Sequence, residues 1–101
     1  MIARIWRATV VPGKEPEYDA FAHEVSRPMF EQQDGFKGVF FLRNGTGCTV
    51  VSFWSDRTSA EALAESPSYG DTVERIRRLL RPETTTEVYE VQGTTFRIDP
   101  E

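Results

Sequence analysis

Cysteine and histidine are nearly missing: Cys48 and His23 are the only ones in the chain. One cysteine excludes an intrachain disulfide, and one histidine leaves a metal site to carboxylates alone. Any Ser-His-Asp or Cys-His nucleophile would have to use His23. The chain also has no long apolar span, no secretory-type hydrophobic segment and no polybasic run, so no membrane association is expected. With the cysteine count, this gives the expectation of a cytoplasmic protein. The formal net charge is −4 and the pI about 5.0, so the basic footprint of a nucleic-acid binder is missing as well. Nor is there a phosphate-cradling loop, because Asn44-Gly45-Thr46-Gly47 joins two β-like runs instead of preceding a helix.

What is present is ordinary globular material. Hydrophobic residues make up 39% and charged residues 28% of 101 positions, too apolar for disorder and short enough for one domain. A chain of this size buries only about two-thirds of the surface its unfolded form exposes, so a second covered surface would help it.

The stretch from Gly35 to Asp56 organises the rest. Two runs rich in Val and aromatic residues flank Asn44-Gly45-Thr46-Gly47, whose Asn-Gly pair tolerates positive φ, and this predicts a β-hairpin. Both faces are apolar: Phe36, Phe40 and Leu42 alternate with Val39 and Phe41, and Val50 and Trp54 with Val51 and Phe53. A sheet with one side in water would not look like this.

Ahead of the hairpin, Ile2 to Val11 reads as a strand stopped by Pro12-Gly13. Pro16 then suits a first helical turn, and Tyr18, Phe21, Ala22, Val25 and Met29 recur at helical spacing, with a kink expected near Pro28. After the hairpin, Thr58-Ser59-Ala60-Glu61 matches a capping box, and Ser66-Pro67-Ser68 restarts a helix whose stripe is Tyr69, Val73, Ile76 and Leu80. Asp71 with Arg75, and Glu74 with Arg78, are spaced as outward ion pairs. Pro82 ends that helix and Thr84 to Gln92 reads as a fourth strand. Residues 1–93 are expected to form one domain and 94–101 a tail, with Phe96 and Ile98 placed to clasp a neighbour.

The order β-α-β-β-α-β is ferredoxin-like α+β: a four-stranded antiparallel sheet with two helices on one face. The helices cover one side only, and an uncovered apolar face predicts a homodimer packed sheet against sheet. The alternative is a tail folded over that face.

Five segments together resemble one family: Met1-Ile2-Ala3-Arg4-Ile5-Trp6, Pro12-Gly13-Lys14, Asp34-Gly35-Phe36-Lys37-Gly38, Ser52-Phe53-Trp54-Ser55-Asp56 and Val88-Tyr89-Glu90-Val91. The chain from Ile2 to Val91 resembles the antibiotic biosynthesis monooxygenase domain of the dimeric α+β barrel superfamily. The resemblance implies a sheet-to-sheet dimer and a ligand cavity in each subunit between the sheet and its own helices. Members oxidise polycyclic aromatics without metal or flavin, oxidise quinols, or break down haem. Cofactor-free oxidation is physically reasonable, because a deprotonated phenol can itself pass an electron to dioxygen. The resemblance therefore implies no cofactor and a small aromatic or quinol substrate; a non-catalytic ligand-binding or assembly module is the alternative. The haem-degrading branch places an Asn on strand one and a Trp and a His on helix two, where this chain has Trp6, Leu63 and Val73. Haem ligation in that mode is not expected.

The candidate substrate-binding residues are Arg4, Trp6, Phe21, Trp54, Leu63, Tyr69 and Val73. Trp6, where the family places a pocket residue, reads as a pocket wall or as a plug. Trp54 reads as a stacking surface for a planar ligand or as a core or dimer-face indole. Phe21, Leu63 and Tyr69 face the same space, with plain core as the other reading. Alternation puts Arg4 on the Trp6 face, suited to anchor an anion, and Arg7 on the opposite face, suited to a carboxylate such as Glu87 or Glu90 across the dimer. His23 is the one candidate general base, yet it points roughly 140° away from the helix stripe, and a solvated position is the competing reading.

Overall fold

The apolar run that opens the chain leaves the sheet earlier than its composition suggests. In the computed structural model, which describes residues 1–96, strand β1 is Ile2–Thr9. Val10, fully buried, makes an isolated bridge with Leu80, and the Val11 N–H donates to the Leu79 carbonyl at 2.9 Å. β2 (Phe36–Asn44), β3 (Gly47–Trp54) and β4 (Thr85–Glu90) complete an antiparallel sheet of order β2-β3-β1-β4. The helical stretches between β1 and β2, and between β3 and β4, pack on one face, which is the ferredoxin-like α+β arrangement expected.

The first helical stretch is α1 (Glu15–Phe21), a π-helical turn (Ala22–Ser26) and α2 (Arg27–Glu31). Where a kink at Pro28 is expected, the chain widens instead. The Arg27 N–H donates back to the Ala22 carbonyl, the five-residue span of a π turn, which makes room for a proline that has no N–H and whose ring crowds the preceding turn. The second stretch is α3 (Arg57–Ala62), a 3₁₀ turn (Leu63–Glu65), α4 (Pro67–Ile76) and a further 3₁₀ turn (Arg77–Leu79). Its cap is Asp56, whose carboxylate accepts from the Ser59 N–H at 2.8 Å, so the expected box at Thr58 gives way to an Asp two residues earlier. Gly35 packs against this corner at φ +80°, and a Cβ there would lie 2.2 Å from Ser59 Oγ.

The hairpin turn is tighter than four residues. Asn44 pairs with Gly47, leaving Gly45 and Thr46 as a two-residue turn with Gly45 at φ +61° and no positive φ at Thr46. Glycine first and a β-branched residue second is the type II′ pattern. A bulge between Phe36 and Gly38 then corrects the expected faces. Phe36, Val39 and Phe41 stand opposite Trp54, Ser52 and Val50 on the helix side, whereas Phe40 and Leu42 join Val51 and Phe53 on the open side.

Two apolar clusters fill the space between sheet and helices. One holds Ile2, Met29, Phe30, Val50, Trp54, Ala60 and Leu63; the other holds Ala8, Val10, Tyr18, Ala22, Cys48, Ile76 and Leu79. Trp6 and Phe41 pack against both and so stand where the clusters meet. On the open side Arg7 is ion-paired with Glu87 of its own chain, because the β1–β4 register sets Glu87 diagonally beside it. Asp71 and Arg75 pair as expected at 3.8 Å, but Arg78 reaches Glu17 of α1 at 3.1 Å and Glu74 takes Arg77 instead. Phe96 stacks on Phe40 of the same chain, ring centroids 5.8 Å apart, and Ile98 lies outside the described residues.

Candidate functional site

At the junction of the two clusters the packing leaves a cavity of about 40 Å³. β1 contributes Arg4 and Trp6, β2 Phe41 and β3 Val50, all on the helix face by alternation. The first helical stretch contributes Tyr18, Ser26, Met29 and Phe30, and α4 contributes Tyr69, Thr72, Val73 and Ile76. This is room for a few waters, well short of the roughly 300–1,000 Å³ of small-molecule pockets.

Arg4 gives the cavity its chemistry. It is 8% exposed, and among the described residues no carboxylate forms a salt bridge with it. Its guanidinium donates to the Tyr69 hydroxyl at 3.0 Å and lies 5.1 Å from the centre of the same ring. A buried cation normally has an anion beside it, since removing it from water costs several kcal/mol. Here a phenol hydroxyl and an aromatic face stand in that place.

The other polar groups are small. Thr72 Oγ1 donates to the Ser68 carbonyl at 2.8 Å. Burial, and then the neighbouring Cys48 thiol, push the Tyr18 phenol far above its ordinary range, so it stays neutral. Burial likewise raises Cys48, whose thiol donates to the Ala8 carbonyl at 3.4 Å. Among the described residues no Asp, Glu or His lines the cavity.

Of the residues singled out in the sequence, the structure brings Arg4, Trp6, Tyr69 and Val73 together at this cavity. Trp54 and Leu63 lie in the adjoining core, 0% and 1% exposed, and the Trp54 Nε1–H donates to Ser52 Oγ at 2.9 Å. Phe21 lies beneath the Arg75 guanidinium, 5.7 Å from its ring centre to the cation, and His23 is exposed beside Asp19 and Arg43 in an outer groove. Tyr18, Ser26 and Thr72 were missed as site residues. Their signal was there: Ser26 continues the 18/22 stripe and Thr72 lies between Tyr69 and Ile76, polar groups where the spacing demands burial.

Among the described residues no helix is long and apolar enough to cross a membrane, and no group of three or more His, Cys, Asp or Glu is placed to hold a metal ion. No functionally curated protein is similar in sequence to the chain. Solved structures share the fold at low identity. SnoaB, a cofactor-independent oxygenase from Streptomyces nogalater, is 17% identical with a TM-score of 0.77, over 92% of this chain and 94% of its own. NE2512 from Nitrosomonas europaea, of unknown function, gives 17% and 0.81 over 97% and 95%, and Rv0793 from Mycobacterium tuberculosis gives 16% and 0.75 over 94% and 98%. The family model for antibiotic biosynthesis monooxygenase matches residues 1–75, and with three quarters of the sequence inside that match the chain belongs to the antibiotic biosynthesis monooxygenase family.

Proposed function

We propose that this chain is a cofactor-independent monooxygenase acting on a small aromatic or quinol substrate, with Arg4 as the anchor for its ionised oxygen. The observation that carries the reading is the buried guanidinium with no carboxylate partner, set among Trp6, Phe30, Phe41 and Tyr69. A phenolate would supply the missing anion, and Arg4 would lower the substrate's own ionisation point. With no carboxylate or histidine on the cavity wall, the site selects an already ionised substrate instead of taking its proton. In an anthrone-type substrate the ring CH₂ becomes C=O and the second oxygen atom leaves as water. The apolar walls exclude bulk water while the electron passes to dioxygen.

The substrate has to displace Trp6 or Tyr69 to enter so narrow a space. That narrowness also supports the second reading, a non-catalytic module whose cavity Trp6 plugs. Haem fits poorly: a cavity of about 40 Å³ has no room for a macrocycle, and His23, the one histidine, lies outside it. We further infer a homodimer through the open sheet face and a cytoplasmic setting.

Oxygen uptake by purified, metal-free protein with hydroquinones, anthrones and related phenols tests the reading. Uptake that follows the substrate's own ionisation with pH, and falls at least tenfold in Arg4→Met, is expected. No uptake across the panel, with phenols still binding, would select the module.

A further inference from the structure

Trp6 is a wall shared by two spaces. With Val73 it lines the inner cavity, and the same pair borders a cleft of about 350 Å³ completed by Arg77, Leu80, Arg81, Pro82 and Thr84. The cleft has the size of a small-molecule site, which the inner cavity does not. It also carries two cations on an acidic protein: Arg77 and Arg81 line it in a chain of net charge −4, and Arg75 and Arg78 are close by in sequence. Three of the four have anionic partners, since Arg75 meets Asp71, Arg77 meets Glu74 and Arg78 meets Glu17. Arg81 makes no salt bridge among the described residues, although its backbone N–H is held by the Thr9 carbonyl at 2.8 Å. An anchored backbone thus carries an unpaired cation beside an exposed part of an indole, and behind that indole lies a second unpaired cation, Arg4.

We propose that this cleft binds an aromatic acid, its carboxylate on Arg81 and its ring against Trp6 and Val73. The inference rests on the reading of the inner cavity as the reaction chamber and names the substrate class: a hydroxylated aromatic carboxylate, not a neutral quinol. The acid group is the handle held outside, and Trp6 is the partition that the ring displaces on its way to Arg4.

Calorimetric titration of the full chain with naphthoate and with uncharged naphthamide reads this directly. Naphthoate is expected to bind about tenfold more tightly than the amide, with the preference shrinking as salt is added. Arg81→Gln abolishes the preference and Arg81→Lys restores most of it, while circular dichroism stays unchanged. No binding of naphthoate, equal affinity for acid and amide, or a preference that survives Arg81→Gln overturns the proposal. Oxygen uptake with hydroxynaphthoate and with naphthol separates the two ideas. Uptake confined to naphthol keeps the oxygenase and overturns the aromatic acid. Acid-selective binding with no uptake from any substrate keeps the cleft and overturns the oxygenase.

Discussion

Arg4 has only a phenol hydroxyl and a ring beside its guanidinium, with no carboxylate paired to it among the described residues. Replacing a buried charge by an apolar side chain of similar length is often neutral or stabilising. Arg4→Met is therefore expected to unfold in urea within about 1 kcal/mol of the parent, or later, while losing phenolate affinity. A variant that is strongly destabilised and still active would remove Arg4 from the site. Glu87 makes the opposite case on the open face. The Tyr89 hydroxyl, which donates to it at 2.6 Å, and then Arg7, hold its carboxylate below the ordinary value of 4.5. A depressed folded value means stability that is present above that range and lost as pH falls through it. The melting temperature of Glu87→Gln should accordingly fall less steeply than the parent's between about pH 5 and 3. Arg4 was legible from alternation alone, since an even-numbered β1 residue shares the Trp6 face. Trp54 and Leu63 share the helix side with the cavity residues, but spacing tells which face a side chain takes, not where along that face the packing leaves a gap.

At the scale of elements, the order of strands and helices was legible because each is bounded by a breaker: Pro12-Gly13, Gly35, Ser66-Pro67 or Pro82. Single-residue irregularities were not. The bulge at Lys37 and the wide turn at Ala22–Ser26 each change a face by one position, and periodicity carries no mark of either. The hairpin turn was legible in place but not in type, since the Asn-Gly signal pointed at Asn44, which is a strand residue, while the turn belongs to Gly45-Thr46. Two variants separate these assignments. Gly45→Ala forces a Cβ into φ +61° and should cost about 1–2 kcal/mol, whereas Asn44→Thr should stay within about 0.5 kcal/mol, both read by urea denaturation. Equal losses at the two positions would mean that the turn lies one residue earlier.

For the whole molecule, the open sheet face is an exposed apolar surface. Phe40 and Leu42 are 41% and 50% exposed, beside half-buried Ile5, Val51 and Phe53, and Phe96 stacks on only one of them. Light scattering at micromolar concentration should give the mass of a dimer, and Val51→Arg, which sets a charge on that face, should give a monomer with unchanged circular dichroism. A monomeric parent would sink the dimer. Between molecules, the wide turn at Ala22–Ser26 behaves as a one-residue insertion. A relative whose helix stays regular there reaches its hairpin one residue sooner. Roles carried over from it position by position then slip downstream of Ser26 unless a gap is opened at the turn. What is true of its counterpart to Trp54 would be credited here to Phe53, exchanging a buried indole on the helix side for a half-buried phenyl on the open face.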